Sequence, residues 1–210
     1  FFGVYYTDAE NVLNGFTFSR DAVRAAHIGA NYSSRIGQDV TVGTHMRLTK
    51  GFSVLDAGPE NTPHSRLGAT ANFLKLQAGA TVNYAATERM LLTLRTEGQY
   101  SPDSLFSSEE ITFGGTRFAR GYNNSEVSGD SGLGASIQAS YRFESEALGG
   151  WSITPYTFVD HANVWNTDVD RQGDARLFST GIGVNFSNRR WLSFGIELDK
   201  PINRVPLSQS

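Results

Sequence analysis

The sequence predicts an all-β protein, an antiparallel up-and-down transmembrane β-barrel, and three observations carry that reading. Apolar and polar residues alternate with a period of two over nine segments. The connections between those segments alternate long and short. Aromatic residues gather beside the short connections, on the apolar side.

In chain order, Phe1 to Thr7 and Ala22 to Tyr32 alternate weakly. Val40 to Thr49 sets Val42, Met46 and Leu48 against His45 and Arg47. Phe73 to Tyr84 opposes Leu74, Leu76, Ala78, Ala80, Val82 and Tyr84 to Lys75, Gln77, Gly79, Thr81 and Asn83. Met90 to Tyr100 opposes Met90, Leu92 and Leu94 to Thr93, Arg95, Glu97 and Gln99. Leu133 to Phe143 is the clearest, with Leu133, Ala135, Ile137, Ala139, Tyr141 and Phe143 on a dry face. Trp151 to Trp165 and Arg176 to Phe186 are weaker, and Trp191 to Asp199 sets Leu192, Phe194, Ile196 and Leu198 against Ser193, Gly195, Glu197 and Asp199. Many of these segments approach the ~9–11 residues with which a tilted strand crosses a bilayer, beyond the ~5–6 usual in soluble sheets. No apolar run approaches the ~20 residues of a membrane helix.

The connections fall at about Asn11–Arg20, Ser33–Gly37, Gly51–Arg66, Ala85–Glu88, Ser101–Gly132 (loop 102–131), Glu144–Gly150, Asn166–Asp174, and Asn188 with Arg189. Sorting by length in this way is what extended loops on one side of a membrane and tight turns on the other produce. Tyr32, Tyr84, Tyr141, Phe143 and Phe186 precede short turns, and Trp151 follows one, so they are expected to form an interfacial girdle. Arg47, Lys75, Arg95, Glu97, Arg142, Glu197 and Asp199, with Gln99, fall on the polar side and are expected to line a water-filled lumen. A lumen of that kind needs a barrel of roughly 16 strands. Eight or nine strands are therefore expected here, with the others elsewhere in a longer parent chain, because bare sheet edges are not tolerated in lipid. The opening FFGVYY falls inside a strand, and the closing DKPINRVPLSQS reads as loop lacking a final strand. Residues 1–210 thus read as the C-terminal portion of one barrel domain.

Composition narrows the function classes. With 18 basic and 21 acidic residues and a net charge of −3, no basic excess points to nucleic acid. The absence of cysteine rules out disulfides, zinc thiolates and thiol catalysis. His27, His45, His64 and His161 lack metal-ligand spacing, and GGTRFARG lacks the Lys-Ser/Thr ending of a phosphate loop. Asp160 and His161 are neighbours on a strand and point to opposite faces, so they form no acid–base pair. Glu109 and Glu110 read as solvated loop charge. No catalytic, metal or cofactor site is expected.

The long loop carries a resemblance. FARGY, Phe118 to Tyr122, is similar to the arginine-glycine-aromatic motif in the sixth extracellular loop of the Omp85 superfamily. EVSGDSG, Glu126 to Gly132, resembles its two-partner-secretion branch, the TpsB transporters of ShlB/FhaC/HecB type. FVDHA, Phe158 to Ala162, looks like the aromatic-x-Asp-x-Gly element of a later strand, with Ala162 where the family usually has Gly. Ala119 stands where the family commonly has Val. The resemblance covers mainly Ile111 to Pro201. It implies a loop folded back into the lumen, with Arg120 paired to Asp160, Gly121 permitting close backbone approach, and Tyr122 and Phe158 packed beside the pair. It also implies an outer-membrane pore, its outside in lipid, that secretes and activates a large TpsA-type exoprotein recognised by POTRA domains absent from this chain. Within the superfamily the alternatives are a barrel-protein insertase or a patatin-like autotransporter barrel. Outside it they are an outer-membrane enzyme or a soluble β-sandwich binding module.

Overall fold

The computed structural model describes residues 1–13, 16–55, 57, 64–66, 68–144, 150–167, 174–188 and 191–203. The expected turn at Arg189, the middle of the Glu144–Gly150 turn, parts of the Gly51–Arg66 and Asn166–Asp174 loops, and residues 204–210 of the terminal loop lie outside them. The strands are β1 (Phe2–Leu13), β2 (Phe16–Ile36), β3 (Val40–Gly51), β4 (Leu74–Ala85) and β5 (Met90–Tyr100). The short strands β6 (Ile111–Phe113) and β7 (Val127–Gly129) precede β8 (Ser131–Tyr141) and β9 (Phe143–Glu144). Then come β10 (Trp151–Trp165), β11 (Ala175–Asn188) and β12 (Leu192–Pro201).

One antiparallel sheet runs β1-β2-β3-β4-β5-β8-β10-β11-β12, each long strand paired with its neighbours along the chain, and β9 adds to β10. Among the described residues this up-and-down meander leaves β1 and β12 as edges and the barrel open. Its two faces differ in the way a period of two requires. One presents Ile28, Ile137, Ile182, Ile196 and Leu198, each at least 60% exposed, with Met46, Leu76 and Leu94 between them. So broad an apolar surface is suited to hydrocarbon and not to water. At one end of that face Tyr141 meets Phe143, Phe186 stacks on Phe194 at 4.9 Å, and Trp151 lies edge-on to Phe194 at 6.0 Å. Phe194 therefore joins the expected girdle.

The first connection differs from the expectation. Most of Asn11–Arg20 is strand, because β1 and β2 pair from Phe2↔Ile28 to Leu13↔Phe16 with one register shift at Asn11/Val12. Polar sequence forms this hairpin because its charges complement each other across the ladder. Arg24 meets Asp8 at 2.6 Å, and Glu10 lies opposite Arg20. At ~3.3 Å per residue the 21 residues of β2 measure roughly 70 Å, far more than a bilayer core, so the hairpin projects beyond it.

Among the described residues most buried apolar side chains gather in two clusters, both where connecting segments cover the polar face. One joins Ile111, Phe113, Phe118, Ala119 and Val127 of the long loop to Ala162, Val164, Ala175 and Leu177 of β10 and β11. The other gathers Val23, Ala25, Ala57, Ala71, Phe73, Leu105 and Phe106. The loop is not featureless: a 3-10 turn at Ser107–Glu109 leads into a ribbon of β6 and β7, paired Ile111↔Gly129 to Phe113↔Val127.

Candidate functional site

The ribbon lays the loop tip against the polar face. Phe113 and Phe118 meet edge to face at 5.8 Å, and both are buried against β10 and β11. That apolar anchor turns the chain through Ala119, whose φ is 57°, and aims Arg120 at the sheet. Its side chain is only 7% exposed.

Asp160, fully buried on β10, accepts from Arg120 three times: backbone N–H at 3.1 Å, Nε at 2.9 Å and Nη2 at 3.0 Å. Nη1 donates to Gln138 Oε1 at 3.1 Å and lies 3.3 Å from Glu197 Oε2, and Nη2 donates to Ser136 at 3.2 Å. One guanidinium therefore reaches β8, β10 and β12. Such forked, charge-assisted contacts fix both the position and the plane of an arginine.

Two glycines make room for the surrounding rings. Phe158 and Gly181 are register partners, and a Cβ on Gly181 would stand 2.5 Å from the Phe158 ring. The ring lies over that gap, and the Arg120 guanidinium stacks on it 3.3 Å from the centroid. Tyr156 sits over Gly183 in the same way and donates to Glu197 Oε2 at 2.7 Å. Gly121 faces the backbone of β12, where a Cβ would come within 2.6 Å of Pro201 N and 2.8 Å of the Lys200 carbonyl carbon. Close approach, not an unusual φ, is what calls for glycine here. Tyr122 donates its hydroxyl toward the carbonyls of Asn203 and Phe178, joining the tip to the ends of β11 and β12. Ala162 is fully buried beneath the loop in the apolar cluster.

The residues expected in the lumen divide. Glu97 accepts from His45 at 3.0 Å across Gly79 and lies 3.7 Å from Arg117 of the loop. Arg95 is partly buried on the same strand, and Glu197 belongs to the Arg120 site. Arg142 lies at the opposite end of the sheet, exposed, 3.9 Å from Glu144. Gln99 needs correction: it is 3% exposed beneath the loop, donating to the carbonyls of Glu109 and Asp130, because those carbonyls have been removed from water. The reading of Glu109 and Glu110 as solvated charge is overturned as well. Lys75 holds Glu109 at 2.7 Å and Arg66 holds Glu110 at 3.0 Å, with both carboxylate side chains under 10% exposed. Asp160 and His161 do face opposite ways, the histidine ring lying 6.3 Å from that of Phe178.

Sequence reading missed Gln138, Ser136 and Tyr156 around Arg120. Parity placed Gln138 and Ser136 on the polar face, but only the depth to which the loop enters selects them.

The family model of the haemolysin secretion/activation protein ShlB/FhaC/HecB matches residues 1–186. The outer membrane transporter CdiB of Dickeya dadantii (strain 3937) is 26% identical over 196 residues, which cover 92% of this chain and 34% of that protein. The solved structure of CdiB from Escherichia coli superimposes with a TM-score of 0.79 at 18% identity, covering 96% of this chain and 37% of the other, a likeness of fold. The chain spans about a third of the length of these relatives. It belongs to the ShlB/FhaC/HecB family of haemolysin secretion/activation proteins, and its sheet is part of an antiparallel β-barrel of the bacterial outer membrane.

Proposed function

We propose that this chain is the C-terminal portion of a secretion pore that passes a large, unfolded TpsA-type exoprotein outward, and that the Arg120–Asp160 contact is the latch of that pore. The observation that carries the reading is the loop itself, turned back onto the polar face and clasped there by Arg120 through Asp160, Gln138, Ser136 and Glu197. Polar contacts that converge on one guanidinium are releasable, since they break together as the tip withdraws. The polar groups of that face, Arg95, Glu97 and Glu197 among them, offer hydrogen bonds and charge to an extended chain in transit. The open edges of β1 and β12 support further strands from the parent protein, because unpaired backbone groups in hydrocarbon each cost several kcal/mol, on the order of a lost hydrogen bond in an apolar medium. Export needs passage, not catalysis, and the CdiB of Dickeya dadantii is named as a transporter. Family membership favours secretion over barrel insertion.

The test is charge reversal in the full-length protein expressed with its exoprotein partner. Arg120→Asp and Asp160→Arg each should reduce secretion while the protein still reaches the outer membrane. The double reversal should restore part of it, limited because a carboxylate introduced at position 120 faces Glu197. Equal loss in the double variant counts against direct pairing.

A further inference from the structure

A second charged cluster sits at the root of the loop, away from Arg120. Arg66, in the segment between β3 and β4, is 7% exposed. Its Nη1 contacts Glu110 Oε1 at 3.0 Å, the Leu105 carbonyl at 2.9 Å and Asp130 Oδ1, while Nη2 reaches Asp130 Oδ2 at 3.0 Å and Asn166 Oδ1 at 3.3 Å. Asp130 is fully buried and also accepts the backbone N–H groups of Leu105 and Thr167 at 2.8 and 2.9 Å. Beside it, Glu109 takes Lys75 at 2.7 Å and the Tyr5 hydroxyl at 2.8 Å.

The placement of these residues gives the cluster its meaning. Glu110 immediately precedes β6 and Asp130 immediately follows β7, so a single guanidinium holds both feet of the ribbon whose far end carries Arg120. The long strands are already hydrogen-bonded to each other without it. Buried ion pairs are poor sources of stability against an apolar alternative but good at specifying one arrangement. Gathering both feet at one point also restricts where the tip can wander, which raises its effective concentration at Asp160.

We infer that Arg66 is a positioning residue for the Arg120 latch: a root clamp that aims the ribbon and makes docking of its tip depend on the segment between β3 and β4. The inference deepens the latch reading and rests on it for its purpose, though not for its physics. Release of Arg66, by a chain pushing on that segment from within or by a partner drawing it outward, loosens the tip without touching Arg120.

The experiment uses trypsin on the full-length protein in detergent, with mass spectrometry counting the new terminus at Gly121. With the exposed Arg117 replaced by Gln in every protein compared, so that trypsin cannot open the tip there, cleavage after a buried Arg120 requires the tip to undock, and its rate follows the undocked population. Arg66→Gln should speed that cut about tenfold. Glu110→Gln, which leaves Asp130 paired, should give a smaller increase, and Arg66→Lys, which lacks the fork, should rescue only in part. In an Asp160→Asn background, where the carboxylate at which the tip is aimed is lost and only Gln138, Ser136 and Glu197 still hold it, Arg66→Gln should accelerate the cut by less than it does in the native protein. Undiminished acceleration in that background, or none in the otherwise native protein, overturns the proposal. Heat-modifiable mobility confirms a folded barrel, and Glu110→Gln keeps the question answerable where Arg66→Gln does not fold. Normal secretion by a variant whose loop is cut rapidly would sink the latch as a functional device while leaving the root clamp standing.

Discussion

Placing a methyl group at position 121 separates close approach from mere flexibility. In Gly121→Ala the new Cβ stands 2.6 Å from Pro201 N, and ordinary contact begins near 3.4 Å, so the tip must lift by about 0.8 Å or β12 must retreat as far. The obstacle is backbone of a paired strand and cannot rotate aside. A lift of that size carries the Arg120 contacts, now 2.9 to 3.1 Å, out of hydrogen-bonding range. Overpacking of this kind costs ~1–3 kcal/mol, so the undocked population should rise about 5- to 150-fold. Trypsin cleavage after Arg120 reads that change directly, because the substitution leaves the arginine on the N-terminal side of the scissile bond in place. Cleavage at the native rate in a folded Gly121→Ala protein would refute the steric argument.

Other perturbations give graded results. Tyr122→Phe removes a donor shared by the Asn203 and Phe178 carbonyls and should loosen the tip by ~1 kcal/mol, about a fivefold faster cut. Asp160→Asn removes the charge opposing a buried guanidinium. The cost should fall below the ~3–5 kcal/mol of a fully stranded buried charge, because Glu197 and Gln138 stay within reach, and it shows as accelerated cleavage. For Asp130, burial alone raises the carboxyl's pKa, but hydrogen bonds from Arg66, Leu105 and Thr167 and the Arg66 charge outweigh it and hold the group below the usual carboxylate range. Its contribution is therefore complete above the unfolded value of ~3.9 and disappears as pH falls through the lower folded value. Loop protection, followed by pulse hydrogen exchange, should be flat in Asp130 between about pH 5 and 8 and fall below about pH 4, and Arg66→Gln should blunt that fall.

The strand pattern was legible because a period of two separates faces whatever the tertiary detail, and Leu133 to Phe143 needed no structure to be read. The parity that put Arg142 and Gln138 on one face could not say that Gln138 touches Arg120 while Arg142 lies at the far end. Asn11 to Arg20 was misjudged because polarity resembles loop until Asp8 finds Arg24 and Glu10 accepts from Thr17 across the ladder. Glu109 and Glu110 look solvated for a related reason: the partners of Glu109 lie far off in sequence, Lys75 by 34 residues and Tyr5 by 104, and Arg66 is similarly remote from Glu110. Gly181 and Gly183 carry no signal of their own, since only the rings of Phe158 and Tyr156 lying above them explain the missing side chains.

Hydrogen exchange at the backbone N–H of Arg120, measured in the full-length protein within a lipid bilayer, tests the clasped loop most directly, because Asp160 is that group's acceptor at 3.1 Å. Slow exchange over residues 118–122, quickened about tenfold or more by Asp160→Asn while β8 stays unchanged, is the predicted result. Fast exchange in the native protein, or a rate indifferent to Asp160, contradicts a loop held on the polar face by this contact.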